Sequence, residues 1–556
     1  MASLVMLSRQ FINLRRLQDG PWQAFERMIA RFLDHGGFKG VNVVGGSGDL
    51  GADIVGLKGS SRWILQAKYR SDSKPGREAI DEIYSAHWAY KASVMVVATN
   101  TFFSADAIEN ANRIKNLGFS IYRWDQNFFL EHINSLDEYS KHRKVPRQYQ
   151  RDAIDSLHGA FKRGQGKGLI TLATGLGKTL VCATFIAEYL ADNPNSKVLV
   201  LAHMSELVKQ LDRSCWSQFS KYTDTHVWTD GEKPAYTEGV TFATWQSVYK
   251  AFHAGEPLAN HFDLVVVDEC HHAPSDSFRD LLWKLSPKFL LGVTATPWRS
   301  DGESLRPLFG EPVFSMDVVE GMKKGFLAEV NYQMMLDGID WEEIRQLSEQ
   351  GLTVKDLNRC LYVPERDLGM IESIVEAFDA IDDPRTLVFC RSIAHAERLQ
   401  RFFRQYDVPA GVLHSNLHRS ERFKTISDFR TGKLNVLISI EMLNEGIDIP
   451  EVNLIVFARV THSRRIFLQQ LGRGLRLSDS KKHVTVLDFV ADVRRIAAGV
   501  EINILAQQKT YAEEIRYPDG EIVNFSSYSQ GFFEEYLADI ASIDDLDEDA
   551  YLHFPT

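Results

Sequence analysis

Apolar positions along this chain follow two rhythms, and each predicts a different kind of element. Between Pro21 and Leu33, the residues Phe25, Met28, Ile29, Phe32 and Leu33 recur at helical spacing, with Glu26 beside that face. Shorter apolar runs come next at Val41–Val44, Ala52–Val55 and Trp63–Tyr69, and the last two predict a hairpin that turns near Lys58–Ser61. From Leu169 onward the pattern changes. Val198–Ala202, Leu264–Val267 and Leu290–Val293 are continuous apolar runs separated by amphipathic stretches, as expected of a parallel sheet covered on both faces. Thr386–Cys390 and Val484–Phe489 read the same way. Asp492–Gln508 looks helical, and a turn at Pro518–Gly520 leads to the acidic run Ile543–Asp549. The polar, mixed-charge stretch Leu136–Lys144 predicts a boundary between the two patterns.

Composition narrows the class. A chain of 556 residues is too long for one core and suggests three or four domains at about 150 residues each. No apolar run reaches the roughly 20 residues of a membrane span, and Arg9, Arg15 and Arg16 interrupt the apolar character of Met1–Leu17, which reads as a short leading helix. Cys182, Cys215, Cys270, Cys360 and Cys390 are scattered, which suggests neither zinc nor disulfides and fits a cytoplasmic location. The net charge of -11 is confined to the tail, because Val500–Thr556 holds two Lys/Arg against thirteen Asp/Glu. The rest of the chain is balanced, so local basic grooves for nucleic acid remain open to it.

The stretch Leu169–Thr179 is built to cradle phosphate. An apolar run breaks into Thr174, Gly175, Leu176 and Gly177, then Lys178 and Thr179 open a helical pattern. Glycines let backbone N–H groups curl around phosphate, the helix N-terminus adds its dipole, Lys178 reaches the phosphate oxygens and the Thr179 hydroxyl can bind Mg2+. Leu172 stands where the general pattern has its first glycine. Asp268 and Glu269 come directly after the apolar run Leu264–Val267; Asp268 is assigned to metal and Glu269 to activation of the attacking water. Gln150, about 20 residues before the loop, can read the adenine edge. His271 and His272 lack partner ligands at zinc spacing.

A second phosphate chemistry is written earlier in the chain. Strand side chains repeat every two residues, so Gln66 and Lys68 share a face that Asp53 on the neighbouring strand can join. A carboxylate and a second oxygen ligand can hold Mg2+ there, with Lys68 positioning the water or stabilising developing charge, and Glu26 as a further ligand or a group supporting the ligands from behind. Phe25-Glu26, Gly48–Asp53, Gln66-Ala67-Lys68, Val94–Thr99 and Ile121–Asp125 together resemble the PD-(D/E)XK nuclease superfamily, and within it the Mrr-type restriction endonucleases. The resemblance implies a sheet flanked by helices and cleavage of DNA. Gln66 occupies a position that is Asp or Glu in the wider superfamily.

The later motifs resemble a superfamily 2 helicase of the DExH kind, related to restriction motors and to RadD-type repair helicases. They are Ala173–Thr179, Val200–His203, Thr244, Asp268–His271, Thr294–Thr296, Thr386–Cys390, Ser439–Pro450 and Gln469–Arg476. Arg473 and Arg476 lie three apart and can share a helix face toward the γ-phosphate. The resemblance places Gln469, Gly446 and Asp448 at ATP, and gives His203, Thr244 and Thr296 sequence-independent nucleic-acid contacts. Gln470 stands where the family often has Arg. The expectation is an α/β protein: a restriction-endonuclease-like domain over 1–135, RecA-like parallel-sheet lobes over 146–315 and 316–497, and a small helical, acidic segment over 498–556. Its cofactors would be ATP and Mg2+. Its partners would be double- or single-stranded DNA and defence-system proteins, with no membrane. The expected function is an ATP-driven DNA translocase fused to a DNA endonuclease of restriction or anti-phage type; the alternative is a repair helicase whose N-terminal domain binds DNA without cutting.

Overall fold

The computed structural model describes residues 10–44, 51–257, 261–272, 276–295, 305–335, 366–390, 392–414, 416–417, 419–440, 451–458, 475, 477, 481, 483–489 and 523–525. The chain divides into two compact units. One combines Met1–Ile170 with Gly177–Thr294 and Leu305–Ser315, and the other combines Thr171–Leu176 with Ala295–Ser304 and Met316–Thr556.

The N-terminal domain is a five-stranded sheet between two helical layers. Helix α1 (Leu14–Asp19) leads into α2 (Trp22–His35), which starts after the extended Pro21, and the strands are β1 (Lys39–Val43), β2 (Ile54–Lys58) and β3 (Ser61–Lys68). Then come α3 (Arg77–Tyr90), β4 (Val94–Thr99), α4 (Ala105–Asn116), β5 (Ser120–Trp124) and α5 (Gln126–Ser135). Strand order is β1-β2-β3-β4-β5, antiparallel across the first three and parallel across the last three. The predicted hairpin is present, with Lys58 paired to Ser61 and the tight turn made by Gly59 at φ 60°. Alternation decides which side each residue serves. Leu65, Val96 and Ala98 pack on α2 and α5, whereas Ile64, Met95 and Val97 pack on α3 and α4. Gln66 and Lys68 are in step with Ile64, so they emerge on the α3 side.

The polar stretch around Leu136–Lys144 does not free this domain from the residues beyond it. Trp216 belongs to the hydrophobic core built by Phe25, Phe32 and Phe129. The Lys221 ammonium donates to the carbonyls of Asn134 at 3.2 Å and Leu136 at 2.6 Å, a cation placed at the C-terminal end of α5. Arg31 is buried, donates to Thr223 O at 2.8 Å and Ser220 O at 3.1 Å, and lies over the Phe11 ring; burial lowers its pKa to about 10. Arg16 donates to Thr225 O at 2.7 Å, and Arg27 pairs with Glu232 at 2.5 Å and Asp212 at 3.5 Å. Buried cations are tolerated only when partnered in this way. Within this unit the nuclease-like domain and the first lobe are therefore packed together.

The first lobe begins with α6 (Gln148–Lys162), β6 (Lys167–Leu172), α7 (Lys178–Asp192), β7 (Lys197–Ala202) and α8 (Ser205–Cys215). It continues through β8 (Thr225–Trp228), β9 (Gly239–Thr244), α9 (Trp245–His253), β10 (Leu264–Asp268), α10 (Asp276–Leu285), β11 (Phe289–Thr294) and β12 (Pro312–Met316). The sheet runs β12-β6-β11-β10-β7-β9-β8, parallel from β11 through β8. Val265 and Val267 are buried in one core with Leu281 and Phe278 of α10, as the continuous apolar runs require.

The second lobe holds β13 (Glu329–Met335), β14 (Thr386–Phe389), β15 (Ala410–Leu413), β16 (Val436–Ser439), β17 (Leu454–Phe457), β18 (His483–Phe489) and β19 (Val523–Phe525). These form one sheet in the order β15-β16-β14-β17-β18-β13-β19, with only β19 antiparallel to its neighbour among the described pairings. The segment after 498, expected to be helical and acidic, thus also contributes an edge strand. No helix among the described residues is long and apolar enough to cross a membrane, and none of the four described cysteines is in a disulfide.

Candidate functional site

Two constellations stand out, and the first lies on the α3 side of the N-terminal sheet. A cleft of about 730 Å³ is lined by Asp53, Gln66 and Lys68, the three residues predicted to share a face, together with Glu82 and its neighbours on α3. Asp53 precedes β2, and its Oδ2 accepts from Ala67 N–H at 2.7 Å, which locks the carboxylate beside β3. The Lys68 ammonium lies 2.5 Å from Glu82 Oε2, and Gln66 Nε2 donates to that same oxygen. Gln66 is only 4% exposed, and its Oε1 has no hydrogen-bond partner among the described residues. A buried carbonyl oxygen on a residue that lines a cleft, with a carboxylate beside it, is a fit donor for a hard divalent cation. Among the described residues no three His, Cys, Asp or Glu side chains gather as a metal site; here the strand contributes an amide in place of one acid.

Glu26 does not join this group. It is 7% exposed on α2, a helix whose apolar residues pack on the opposite face of the sheet, and it does not line the cleft. The helix that does line it is α3, through Glu78, Asp81, Glu82 and Ser85. Those residues recur three and four apart, opposite Ile80 and Ile83, which are buried. That spacing was the available signal, since an acidic face on the helix after Gln66-Ala67-Lys68 reads as solvated unless its packing is known.

The second constellation collects at the carboxyl ends of β6 and β10, where parallel sheets place their ligands. Gly175 and Gly177 take φ of 96° and 82°, the left-handed conformations a phosphate loop needs, and α7 opens at Lys178. Lys178 Nζ is 3.1 Å from Glu269 Oε1, so the candidate phosphate-binding ammonium and the candidate base share one site. Asp268 closes β10. The Cys182 thiol on the first turns of α7 is pushed up by burial and then by the Asp268 charge, which marks how closely that helix approaches the strand end. Glu269 itself has φ 46°, an uncommon conformation for a side chain of this type, held at the functional point. The His271 ring is fully buried; its Nδ1 is 2.8 Å from Thr294 Oγ1 and 3.4 Å from Glu269 Oε2, which ties the end of β11 to the acidic motif.

Three further expectations meet the structure differently. Gln150 is buried, its Oε1 accepts from Arg147 N–H at 2.9 Å and its Nε2 faces Gly177, so the amide joins the start of α6 to the phosphate loop rather than offering both its atoms to adenine. Thr244 is also buried, and its hydroxyl pairs with Ser247 at 2.8 Å. His203 is half-buried at the end of β7, and its carbonyl lies 3.4 Å from Gln246 Nε2. Thr174, Leu176 and Thr179 lie in or beside the loop as expected. Thr296, Gly446, Asp448, Gln469, Arg473 and Arg476 lie outside the described residues.

Three family models match the chain. Residues 17–126 match a restriction endonuclease catalytic domain of Mrr type, 143–299 the res subunit of type III restriction enzymes, and 369–478 the helicase conserved C-terminal domain. The chain carries the domain pair of superfamily 2 helicases behind an Mrr-type restriction-endonuclease domain. It is 27% identical to the endonuclease subunit of the type I restriction enzyme EcoAI of Escherichia coli, over 72% of this chain and 52% of that one. It is 25% identical to the DNA 3′–5′ translocase XPB2 of Sulfurisphaera tokodaii, over 60% of this chain and 79% of the relative. Two helicase relatives from Saccharomyces cerevisiae and Schizosaccharomyces pombe are 25% and 30% identical, and the chain spans 57% and 59% of their length. The fold resembles that of the ATP-dependent type ISP restriction-modification enzyme LlaBIII bound to DNA, with a TM-score of 0.53 at 17% identity over 94% of this chain and 42% of that one.

Proposed function

We propose that this chain hydrolyses ATP to move along DNA and cuts the DNA in its N-terminal cleft, as a restriction-type helicase-nuclease. The observation that carries the reading is the pairing of two phosphate-handling centres in one chain: Asp53, Gln66 and Lys68 around one cleft, and Lys178 against Glu269 at the end of β10. In the motor, Lys178 binds phosphate oxygens, Thr179 and Asp268 hold Mg2+ with the nucleotide, and Glu269 accepts the proton of the attacking water. For Arg473 and Arg476 the helicase resemblance implies contact with the γ-phosphate, to which a permanently charged guanidinium is suited. His271, in contact with both Glu269 and Thr294, joins the acidic motif to the end of β11. The names of the EcoAI subunit and the XPB2 translocase support restriction and DNA translocation respectively.

In the cleft, Asp53 and Gln66 Oε1 are the donors for Mg2+. Such an ion, when bound, polarises a phosphodiester and lowers the pKa of its water. Lys68 holds the phosphate and balances the charge that develops on it. Defence against incoming DNA, in the cytoplasm and with partner subunits, is the biological setting this chemistry suits. The test incubates supercoiled and linear DNA with Mg2+, with and without ATP. Lys68→Ala is expected to lose cleavage and keep DNA-stimulated ATP turnover, and Lys178→Ala to lose turnover by at least about 100-fold. Cleavage unchanged in Lys68→Ala removes the cleft as the cutting site; DNA-stimulated turnover with no cleavage at any Mg2+ concentration replaces this reading with that of a helicase whose N-terminal domain only grips DNA.

A further inference from the structure

We propose that Glu82 is the second carboxylate of the metal centre in the N-terminal cleft, supplying from helix α3 the negative charge that strand β3 lacks at Gln66. The inference rests on reading the cleft as a nuclease site and names a ligand that the sequence motif does not contain. On the strands, Asp53 offers one carboxylate and Gln66 a neutral amide. An amide alone is a weaker ligand for a hard divalent ion than an acid, so a site of this kind needs charge from elsewhere.

Four observations point to Glu82. The Gln66 side chain is 4% exposed, and its Nε2 donates to Glu82 Oε2. A carboxylate only accepts hydrogen bonds, so it draws the N–H side of the amide toward itself and turns the carbonyl oxygen away. That oxygen, Gln66 Oε1, has no hydrogen-bond partner among the described residues, although it is buried at the wall of the cleft. Lys68 Nζ lies 2.5 Å from the same Glu82 oxygen, so a single carboxylate orders both conspicuous residues of the strand motif.

The acids beside it on α3 are committed elsewhere. Asp81 Oδ1 accepts from Asn110 at 2.9 Å and Asp81 Oδ2 lies 3.2 Å from Arg77, while Glu78 Oε1 accepts from Gly76 N–H at 3.0 Å. Finally, Gly51 at φ 90° brings its backbone against α3 at this very residue, where an added Cβ would sit 3.2 Å from Glu82 O. The glycine turn therefore holds the segment leading to Asp53 against the helix position that carries Glu82. The acid has moved from strand to helix, and the cleft keeps two carboxylates.

A relocated charge can be moved back, and that is the test. In the full-length chain without nucleotide, Mn2+ binding is followed by electron paramagnetic resonance, counting only the binding that Asp53→Asn abolishes, and cleavage of supercoiled DNA is measured in parallel. Glu82→Gln keeps the shape of the side chain and is expected to weaken Mn2+ binding by at least about 10-fold and cleavage by roughly 100-fold. The double variant Glu82→Gln with Gln66→Glu restores the acid to the strand and is expected to recover both to within about 10-fold of the parent, an exchange that a merely structural Glu82 would not allow. Thermal melting confirms that each variant folds. The proposal is overturned if Glu82→Gln binds Mn2+ and cuts DNA like the parent, or if the double variant stays as weak as the single one. Asp53-dependent Mn2+ binding that falls in Glu82→Gln, in a parent that cuts no DNA, upholds Glu82 as a ligand and rejects the nuclease reading. Cutting that is equal in parent and Glu82→Gln does the reverse.

Discussion

The N-terminal cleft and the strand-end site of the first lobe are both proposed to handle phosphate, yet they are assembled by opposite means. In the lobe, each functional residue sits where a buried parallel strand stops: the glycine loop after β6, Asp268 and Glu269 at the end of β10, Thr294 at the end of β11. Position in the chain and position in the site coincide, so short contiguous motifs describe it. The cleft is built across a sheet face instead, with Asp53 before β2, Gln66 and Lys68 on β3, and Glu82 reaching over from α3. Its residues belong together only after the helix has packed. A site at strand ends is thus legible as motifs, whereas a site between a sheet face and a helix is legible only in part.

That contrast can be broken most directly at Glu269. If the strand-end site is self-contained, Glu269→Gln should reduce ATP turnover on the order of 1,000-fold while nucleotide binding persists, and Mn2+ binding in the N-terminal cleft should be unaffected. Turnover near the parental rate would show that the water is activated by another group.

The second expected effect concerns how separate the two regions are. Arg31 is buried and donates to Thr223 and Ser220 across the junction. Arg31→Ala leaves those carbonyls without donors and should cost roughly 2 kcal/mol. In calorimetry the loss should lower one shared transition of the N-terminal domain and first lobe; a shift confined to an N-terminal transition would show that the two regions unfold independently.

The smallest effect is one of pH. Burial lowers the pKa of His35 and of His226 to about 4, with the Arg31 and Arg16 cations acting in the same direction, and Asp224 partly opposing at His226. In the unfolded chain each imidazole titrates near ~6.5. Between these values the unfolded chain takes up protons that the folded chain refuses, so the stabilisation is complete above about 6.5 and is lost as pH falls toward 4. Chemical denaturation at pH 6 and pH 5 should differ by about 1 kcal/mol per histidine. Burial raises the carboxyls of Asp34 and Asp212, which act with the opposite sign, so His226→Gln is the control that isolates the imidazole share. A pH dependence identical in that variant would remove His226 from the account.

Sequence by itself determined a great deal here. The helical spacing of Phe25 to Leu33, the hairpin at Lys58–Ser61 and the continuous valine runs fixed the elements, because periodicity and turn chemistry act over a few residues. The order of motifs, with Lys178 and Glu269 at strand ends and Asp53, Gln66 and Lys68 in step on adjacent strands, came from the same local rules. Tertiary structure decided the rest. It set Glu26 on the far face of the sheet, brought Glu82 to Gln66, turned the acceptor of Gln150 back on Arg147 and buried the hydroxyl of Thr244. It also made Arg16, Arg27 and Arg31 the partnered cations that fasten the N-terminal domain to the first lobe. The reason is that a charged side chain is legible as solvated or buried only through its surroundings, and those surroundings come from segments up to about two hundred residues away, as with Arg31 and Thr223.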